Sequence, residues 1–164
     1  MTRGDRGAAA DASRRLALQR LSRLAAGAFA VLATRASADA AFPAIVQPAK
    51  PGPTAFAARA EALRQLAIAG GDQPYGAVVV CDGRIVGEGV SAVITHADPT
   101  AHAERQAIRD AQRRTGSLDL SGCVLYGTSR ACPLCEAAAR DARIARMAYG
   151  SSAIDAGAPG GAGR

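Results

Sequence analysis

A short apolar run followed by a two-residue turn constrains the fold of this chain more than any other feature. Ala77 to Val80 has the composition of a buried strand. Asp82-Gly83 follows one residue later and is typical of a hairpin turn, because glycine accepts a positive φ. The segment from Ile85 to Ile94 then predicts the returning strand, weakened by Gly87 and Gly89. We therefore expect the sheet to begin with an antiparallel pair.

The rest of the chain alternates between helical and strand patterns. The helices are predicted at 55–69, 101–114 and 132–140, and two further strands at 123–127 and 144–149. Asp98 is expected to cap the second helix, with Pro99 in its first turn. A hairpin followed by strand-to-helix crossovers gives a mixed sheet with helices on both faces. The order predicts an α/β fold, a three-layer α/β/α sandwich with a mixed central sheet.

One globular domain accounts for most of the chain. Its 164 residues, 49% of them hydrophobic, suffice for a single core and exclude a multidomain machine. Residues 39–55 predict an Ala/Pro-rich lead-in, 56–150 the domain, and 151–164 a Gly/Ala-rich tail. Four cysteines are too few for a disulfide scaffold. We expect Cys81 and Cys123 to be small buried hydrophobic residues.

The positive charge is concentrated at the amino-terminal end. The formal net charge is +6, and residues 1–38 hold seven arginines against two aspartates. The other 126 residues carry 13 basic and 12 acidic side chains, so this part is nearly neutral. Because phosphate contacts need Lys and Arg, we expect no nucleic-acid partner.

Residues 1–38 have the organisation of an export signal peptide. A basic stretch with Ser13-Arg14-Arg15 precedes an uncharged apolar segment, Leu24 to Thr34, and Ala36-Ser37-Ala38 has the A-x-A form of a cleavage site. The arginine pair with Leu18 resembles a twin-arginine signal. A periplasmic or secreted protein is therefore expected, with a disordered basic tail and a cytoplasmic location as the alternative. Since no run of 18 uncharged apolar residues is present, we expect no stable membrane association after signal removal.

Two motifs, each at the start of a predicted helix that follows a strand, carry the chemistry. They are His102-Ala103-Glu104 and Cys132-Pro133-Leu134-Cys135. Two cysteines three apart in a first helical turn lie on one face, and the helix amino terminus favours their thiolates. With one imidazole they offer three ligands to tetrahedral Zn²⁺ and leave the fourth position open for water, as in catalytic zinc sites. Glu104 is placed to take the proton of that water and deliver it to a leaving amine.

These motifs and their surroundings resemble the cytidine/deoxycytidylate deaminase-like superfamily. Within it, guanine deaminases and related nucleobase or nucleoside deaminases are the most similar. H-x-E followed by C-x-x-C is typical of zinc nucleobase deaminases. The resemblance covers residues 56–150 and rests on Pro74-Tyr75-Gly76-Ala77-Val78, Asp98-Pro99-Thr100-Ala101-His102-Ala103-Glu104, Ala107-Ile108-Arg109-Asp110-Ala111, Asp119-Leu120-Ser121-Gly122-Cys123-Val124-Leu125-Tyr126 and Cys132-Pro133-Leu134-Cys135.

The resemblance implies a function and a metal. It implies zinc-dependent hydrolytic deamination of a nucleobase, a nucleoside or a related small heterocycle of the guanine, cytosine or adenine type. The Zn²⁺ would be held by His102, Cys132 and Cys135, and Glu104 would shuttle the proton. A homodimer is common in the family and is expected here.

The resemblance also implies the residues that contact substrate, and it has departures. The backbone N–H of Ala103, the ring of Tyr75 and Ser91 are the expected contacts, although relatives commonly have Asn where Ser91 stands. Arg130-Ala131 replaces the usual Glu-Pro before the first zinc cysteine. Two other interpretations therefore stay open. One is a periplasmic thiol–disulfide protein that uses the two cysteines of C-x-x-C, and the other is a zinc-binding but inactive module.

Overall fold

The structure is a computed structural model and describes residues 43–160. The helices are α1 (Pro53–Ala69), α2 (Ala103–Thr115) and α3 (Pro133–Asp141), and the strands are β1 (Gly76–Cys81), β2 (Arg84–Val90), β3 (Val124–Gly127), β4 (Arg146–Tyr149) and β5 (Ile154–Gly157). The predicted export signal lies outside the described residues. Between residues 43 and 160, no helix is long and apolar enough to cross a bilayer.

The five strands form one mixed sheet in the order β2-β1-β3-β4-β5. β1 pairs antiparallel with β2 and β3, β3 pairs parallel with β4, and β4 pairs antiparallel with β5. Strands β2, β3 and β4 therefore end at the same edge of the sheet, where β1 begins. We call this the site edge, because α2 and α3 follow β2 and β3 and start there.

The predicted hairpin is confirmed. Asp82 and Gly83 have φ angles of 50° and 73°, and two positive φ angles in a two-residue loop match the right-handed twist of the paired strands. The returning strand ends at Val90 rather than at Ile94. Beyond it the backbone N–H groups of Val93 and Ile94 donate to the Asp72 carboxylate instead of to a strand.

Helices cover both faces of the sheet, as the sequence predicted. Successive side chains of β1 point to opposite faces. Val78 and Val80 pack with Phe56 and Leu63 of α1 on one face. Ala77 and Val79 of β1 pack on the other face, with residues of α2 and α3. The core is therefore in two halves, and the sheet lies between them.

The start of α2 differs from the prediction. The helix begins at Ala103, and His102 before it is extended, with φ −66° and ψ 149°. The Asp98 carboxylate accepts the N–H of Thr100 at 2.8 Å, and the N–H of Ala101 donates to the Asp98 carbonyl at 3.0 Å. Asp98 therefore closes a turn ahead of the helix. The predictions that it caps α2, and that Pro99 lies in the first turn, were wrong.

The prediction for Cys81 and Cys123 was correct for their burial, because Cys123 lies in the core and Cys81 packs against it, but it missed their pairing. The two residues form a disulfide, with their Cα atoms 4.3 Å apart. Cys81 ends β1 and Cys123 directly precedes β3. Because Val80 of β1 pairs with Val124 of β3, the next residues along these antiparallel strands face each other. The register thus brings together two residues 42 apart in the sequence.

One strand was missed by the sequence analysis. β5 lies within the segment 151–164 that was assigned to a Gly/Ala-rich tail. Its first residue, Ile154, pairs with Tyr149 of β4. The lead-in also has a structural role, because the side-chain amide of Gln47 donates to the Ile85 carbonyl at 2.7 Å and accepts the Ile85 N–H at 2.9 Å. Gln47 thereby covers part of the open edge of β2, as edge strands require.

Candidate active site

The three predicted zinc ligands come together at the site edge. His102 directly precedes α2, Cys132 directly precedes α3, and Cys135 lies in the first turn of α3. The Nδ1 atom of His102 lies 3.6 Å from Cys132 Sγ and 3.5 Å from Cys135 Sγ, and the two sulfur atoms lie 3.6 Å apart. Among residues 43–160, this is the group of three His, Cys or acidic side chains whose ligand atoms converge for a metal.

These separations fit zinc. Tetrahedral zinc with bonds of about 2.3 Å to sulfur and about 2.0 Å to nitrogen places two sulfur ligands about 3.8 Å apart, and sulfur and nitrogen about 3.6 Å apart. Each separation in the structure agrees with these values to within about 0.2 Å, the tolerance expected of a metal site. Soft thiolates with an imidazole are a donor set that suits zinc. Three protein ligands leave the fourth tetrahedral position open.

Burial modifies the expected charge of Cys135. The side chain is fully buried. Burial raises the pKa of the Cys135 thiol, and the nearby Glu104 carboxylate raises it further. Burial therefore opposes the thiolate that the helix amino terminus favours. A dication bound to the sulfur supplies the missing positive charge, because coordination deprotonates a thiol.

Glu104 lies against the ligand group without belonging to it. It is the second residue of α2, and only 7% of it is exposed. One carboxylate oxygen, Oε2, lies 3.6 Å from the Sγ atom of Cys135. Burial raises the pKa of the Glu104 carboxyl. The Glu104 carboxyl group thus lies beside the candidate ligands, and among residues 43–160 it takes part in none of the ion pairs.

Glycines of β2 determine how close α2 lies to the sheet. A Cβ atom on Gly89 would lie 2.0 Å from the carbonyl oxygen of Ala103, and one on Gly87 would lie 2.5 Å from that of Ala107. Real Cβ atoms do not approach backbone atoms so closely, so any larger residue would displace the helix. Gly89 thus sets the position of the first turn of α2, next to His102.

The predicted substrate contacts lie at the same edge. Tyr75 precedes β1 and is 40% exposed, and its carbonyl accepts the N–H of Ser91 at 3.1 Å. Ser91 follows β2, is only 2% exposed, and donates its hydroxyl to the Asp72 carboxylate at 2.7 Å. Ala103 is the first residue of α2, so its N–H has no acceptor within the helix. The substrate contacts of all three residues stay predictions.

A small cavity adjoins Glu104. Its volume is about 10 Å³, which is room for one water molecule. Glu104 and Arg130 line it together with Tyr149 of β4 and Ala156 of β5. The sequence analysis did not associate β4 or β5 with the site, because no motif marks them.

Asp72 was also not singled out by the sequence analysis. Its carboxylate accepts hydrogen bonds from residues 91–95, which lie between β2 and α2. No spacing rule connects it with these partners, because they are 19 to 23 residues away and meet it only in the folded chain.

Comparison with known proteins agrees with this geometry. The family model for the cytidine and deoxycytidylate deaminase zinc-binding region matches residues 53–151, more than half of the chain. The guanine deaminase of Bacillus subtilis (strain 168) is 44% identical over 87 residues, which are 53% of this chain and 56% of that protein. A tRNA-specific adenosine deaminase of Haemophilus influenzae is 40% identical over 106 residues, 64% of this chain and 57% of that protein.

A solved structure shows the same fold. The X-ray structure of guanine deaminase from Bacillus subtilis superposes with a TM-score of 0.55 at 42% sequence identity, covering 57% of this chain and 60% of that one. This chain therefore spans less than two thirds of the length of these relatives. The matched region contains the histidine, both cysteines and the glutamate of the site. The chain belongs to the cytidine and deoxycytidylate deaminase family defined by this zinc-binding region.

Proposed function

We propose that this chain is a zinc-dependent hydrolytic deaminase of a free nucleobase, a nucleoside or a related small heterocycle. The observation that carries the proposal is the convergence of His102 Nδ1 with the sulfur atoms of Cys132 and Cys135, all within 3.6 Å of one another. The Glu104 carboxylate lies at the same distance from one of these sulfur atoms. A metal-binding group and a buried proton carrier side by side are what hydrolytic deamination requires.

The chemistry is the exchange of an amino group for oxygen. His102, Cys132 and Cys135 would hold the zinc ion, which would lower the pKa of water to about 7 and so supply a nucleophile at neutral pH. Glu104 accepts a proton as the C–O bond forms at the amine-bearing carbon of the heterocycle. It then donates a proton to the amine nitrogen as the C–N bond breaks. One water is consumed, the ring carbon becomes a carbonyl carbon, and ammonia leaves.

A small-molecule substrate is favoured over tRNA. Guanine deaminase and tRNA-specific adenosine deaminase relatives match this chain with similar identity, so identity does not separate the two substrates. The charge balance does, because residues 39–164 carry 13 basic and 12 acidic side chains. A protein that grips tRNA neutralises many phosphates with Lys and Arg.

The first experiment is the substitution Glu104→Gln. We expect it to lower turnover by at least about 100-fold, because the proton carrier is lost. Zinc should stay at the wild-type level, because Glu104 is not a ligand. The assay measures ammonia release from guanine, cytosine, cytidine, adenosine and tRNA, together with zinc by elemental analysis.

One control variant and the zinc content make the experiment decisive. Glu61→Gln makes the same chemical change on α1, where Glu61 pairs with Arg64, and should leave turnover unchanged. Undiminished turnover in Glu104→Gln would contradict the mechanism. If zinc is bound and none of these substrates releases ammonia, the inactive-module interpretation holds. If zinc is absent and Cys132 and Cys135 exchange electrons with a dithiol, the thiol–disulfide interpretation holds.

We also propose that residues 1–38 direct export, by the twin-arginine route, to the periplasm or beyond. The basic, apolar and A-x-A segments support this proposal. The Cys81–Cys123 disulfide supports it as well, because disulfides persist in oxidising compartments. Sequencing the amino terminus of protein from its native host tests it. A mature end near Asp39 or Ala41 is expected, and an intact Met1 or Thr2 would contradict export.

Homodimerisation is a separate proposal, supported by its frequency in the family that the chain resembles. Sedimentation at several protein concentrations tests it, with twice the chain mass expected. The mass of a single chain throughout would contradict it.

A further inference from the structure

We infer that Asp72 is a positioning residue for the proposed deaminase. Its carboxylate anchors the loop between β2 and α2, and the position of this loop sets the affinity of the enzyme for substrate. The loop comprises residues 91–101 and includes Ser91. This inference rests on the proposed function. Asp72 itself lies on the connection between α1 and β1, outside every motif that the sequence analysis used.

The hydrogen bonds to the Asp72 carboxylate hold the loop in place. Its buried carboxylate accepts six hydrogen bonds. Oδ1 accepts the N–H of Gln73, the hydroxyl of Ser91 and the N–H of Val93. Oδ2 accepts the N–H groups of Ile94 and Thr95 and the Thr95 hydroxyl. Five of the six donors belong to the loop, so one side chain replaces the strand partner that these backbone groups lack.

The anchored loop leads directly to the metal ligands. The N–H of Ala92 donates to the Ala101 carbonyl at 3.0 Å, which brings the two ends of the loop together. His102 is the next residue. The first part of the loop is therefore held by Asp72, whereas the first turn of α2 is held independently, by its contact with Gly89. Loss of the hydrogen bonds to Asp72 should therefore displace Ser91 and the neighbouring loop residues, and leave His102 in place.

The loop also borders a groove large enough for a ligand. The groove has a volume of about 370 Å³ and lies between α1, β2 and α2, and ligand clefts are typically of about this size or larger. Ser91, Thr95 and His96 of the loop line it, as does Gln106, whose N–H donates to the His102 carbonyl. The groove therefore reaches the first turn of α2. Asp72 itself forms part of its wall.

The substitution Asp72→Asn tests the anchor, because it keeps the shape and removes half of the acceptors. Each oxygen of Asp72 faces three donors, at least one of them a backbone N–H. Whichever way the amide turns, its NH₂ group meets N–H groups and cannot accept from them. Asp98→Asn is the matched control. It makes the same change in the same loop, where the Asn oxygen can still accept the N–H of Thr100.

We expect Asp72→Asn to raise KM by about tenfold or more, since several hydrogen bonds to a charged group are lost. We expect kcat to stay within about threefold of the wild type and zinc to stay at the wild-type content. Asp98→Asn should change neither KM nor kcat. A role in stability alone would instead lower the amount of folded, active protein and leave KM unchanged, and that result would overturn the inference.

A second variant and a second measurement cover the remaining outcomes. If Asp72→Asn does not fold, Thr95→Val removes one bond to Asp72 and should raise KM by about two- to threefold. Hydrogen exchange measures the anchor without substrate. The amides of Val93, Ile94 and Thr95 should lose protection in Asp72→Asn and keep it in Asp98→Asn, and equal protection in both would contradict the inference. A wild type that binds no zinc or turns over no substrate refutes the proposed function, whereas an active wild type with an unchanged KM in Asp72→Asn refutes only the anchor.

Discussion

The two faces of the sheet are packed in different ways. On the face covered by α1, large side chains interdigitate around one backbone contact: the rings of Phe56 and Tyr126 lie 5.4 Å apart, and a Cβ atom on Gly76 of β1 would lie 2.2 Å from the Ala60 carbonyl oxygen. On the face covered by α2, small residues allow the helix backbone to touch the strand, with Ala103 and Ala107 directly over Gly89. The side chains that can bind zinc lie at the starts of α2 and α3, the helices on the small-residue face.

The difference shows how the fold can hold a ligand geometry. A layer of large, flexible side chains adjusts when one member changes, because neighbours move into part of the space. Two backbone contacts, at Gly87 and Gly89, hold the position of α2 more precisely than side-chain packing alone would. Metal ligands need that precision. The α1 face contributes stability. The α2 face contributes stability too, and it also determines where the candidate zinc ligands lie.

The substitution Gly89→Ala should have the largest effect. Its new methyl group would lie 2.0 Å from the Ala103 carbonyl, so the first turn of α2 must move and take His102 with it. We expect a loss of about 1–3 kcal/mol in stability and zinc binding weakened by at least about tenfold. Calorimetry measures the loss of stability, and zinc titration measures the loss of affinity.

Two glycines serve as controls for this substitution. Gly87→Ala should cost similar stability, because its methyl group would lie 2.5 Å from the Ala107 carbonyl, but it lies a turn further from His102 and should weaken zinc binding less. Gly70→Ala, at a φ of −80°, would place its methyl group no closer than 3.4 Å to any neighbour and should be close to neutral. Equal zinc affinity in Gly89→Ala and the wild type would show that α2 does not need the close contact.

On the other face, Leu63→Ala should reduce stability without touching the site. Leu63 belongs to α1 and is buried between the helix and the sheet. Removing a buried leucine side chain costs about 2–5 kcal/mol of stability. Zinc content and KM should stay at wild-type values. Leu66→Ala, on the same helix but 59% exposed, is the matched control and should change stability little. Reduced zinc content in folded Leu63→Ala would remove the distinction between the faces.

The smallest predicted effect concerns Asp72, and it is a change in protein stability at acid pH. Burial opposes ionisation of Asp72, but the hydrogen bonds from Thr95, Ser91 and Gln73 outweigh it and hold the pKa of the Asp72 carboxyl well below its usual range. A lowered pKa stabilises the fold fully above the unfolded value of about 3.9, and the contribution fades as the pH falls below it.

The melting temperature of Asp72→Asn should therefore be furthest below that of the wild type above about pH 4, and the gap should narrow at lower pH. Glu88 lines the same groove and pairs with Arg59. It is present in both proteins, so the difference between them isolates Asp72. A gap that stays constant from pH 5 to the acid limit would contradict the lowered pKa.

Local patterns predicted the parts of the fold that depend on neighbouring residues. Asp82-Gly83 specified its turn because few residues accept two positive φ angles. His102, Cys132 and Cys135 were found because a helix start presents side chains at fixed spacing. The mixed sheet with helices on both faces followed from the order of elements, a hairpin and then strand-to-helix crossovers.

Features that depend on distant partners were missed. The Cys81–Cys123 disulfide requires the register of β1 against β3, which no local pattern contains. β5 has only Ile154 as a large apolar side chain and is held by backbone pairing with β4. Asp72 precedes a proline-containing turn and looks like an ordinary loop aspartate, because its donors lie 19 or more residues away. Asp98 bonds to its own turn, which competes with helix capping.

The zinc content of the full chain, purified without chelator, tests the central claim most directly. We expect about one zinc per chain, bound with the three ligands that catalytic sites use, and its loss in His102→Ala and Cys135→Ala. Leu66→Ala should retain the metal. A wild-type protein that is folded, contains no zinc and takes up none when zinc is added would contradict the account.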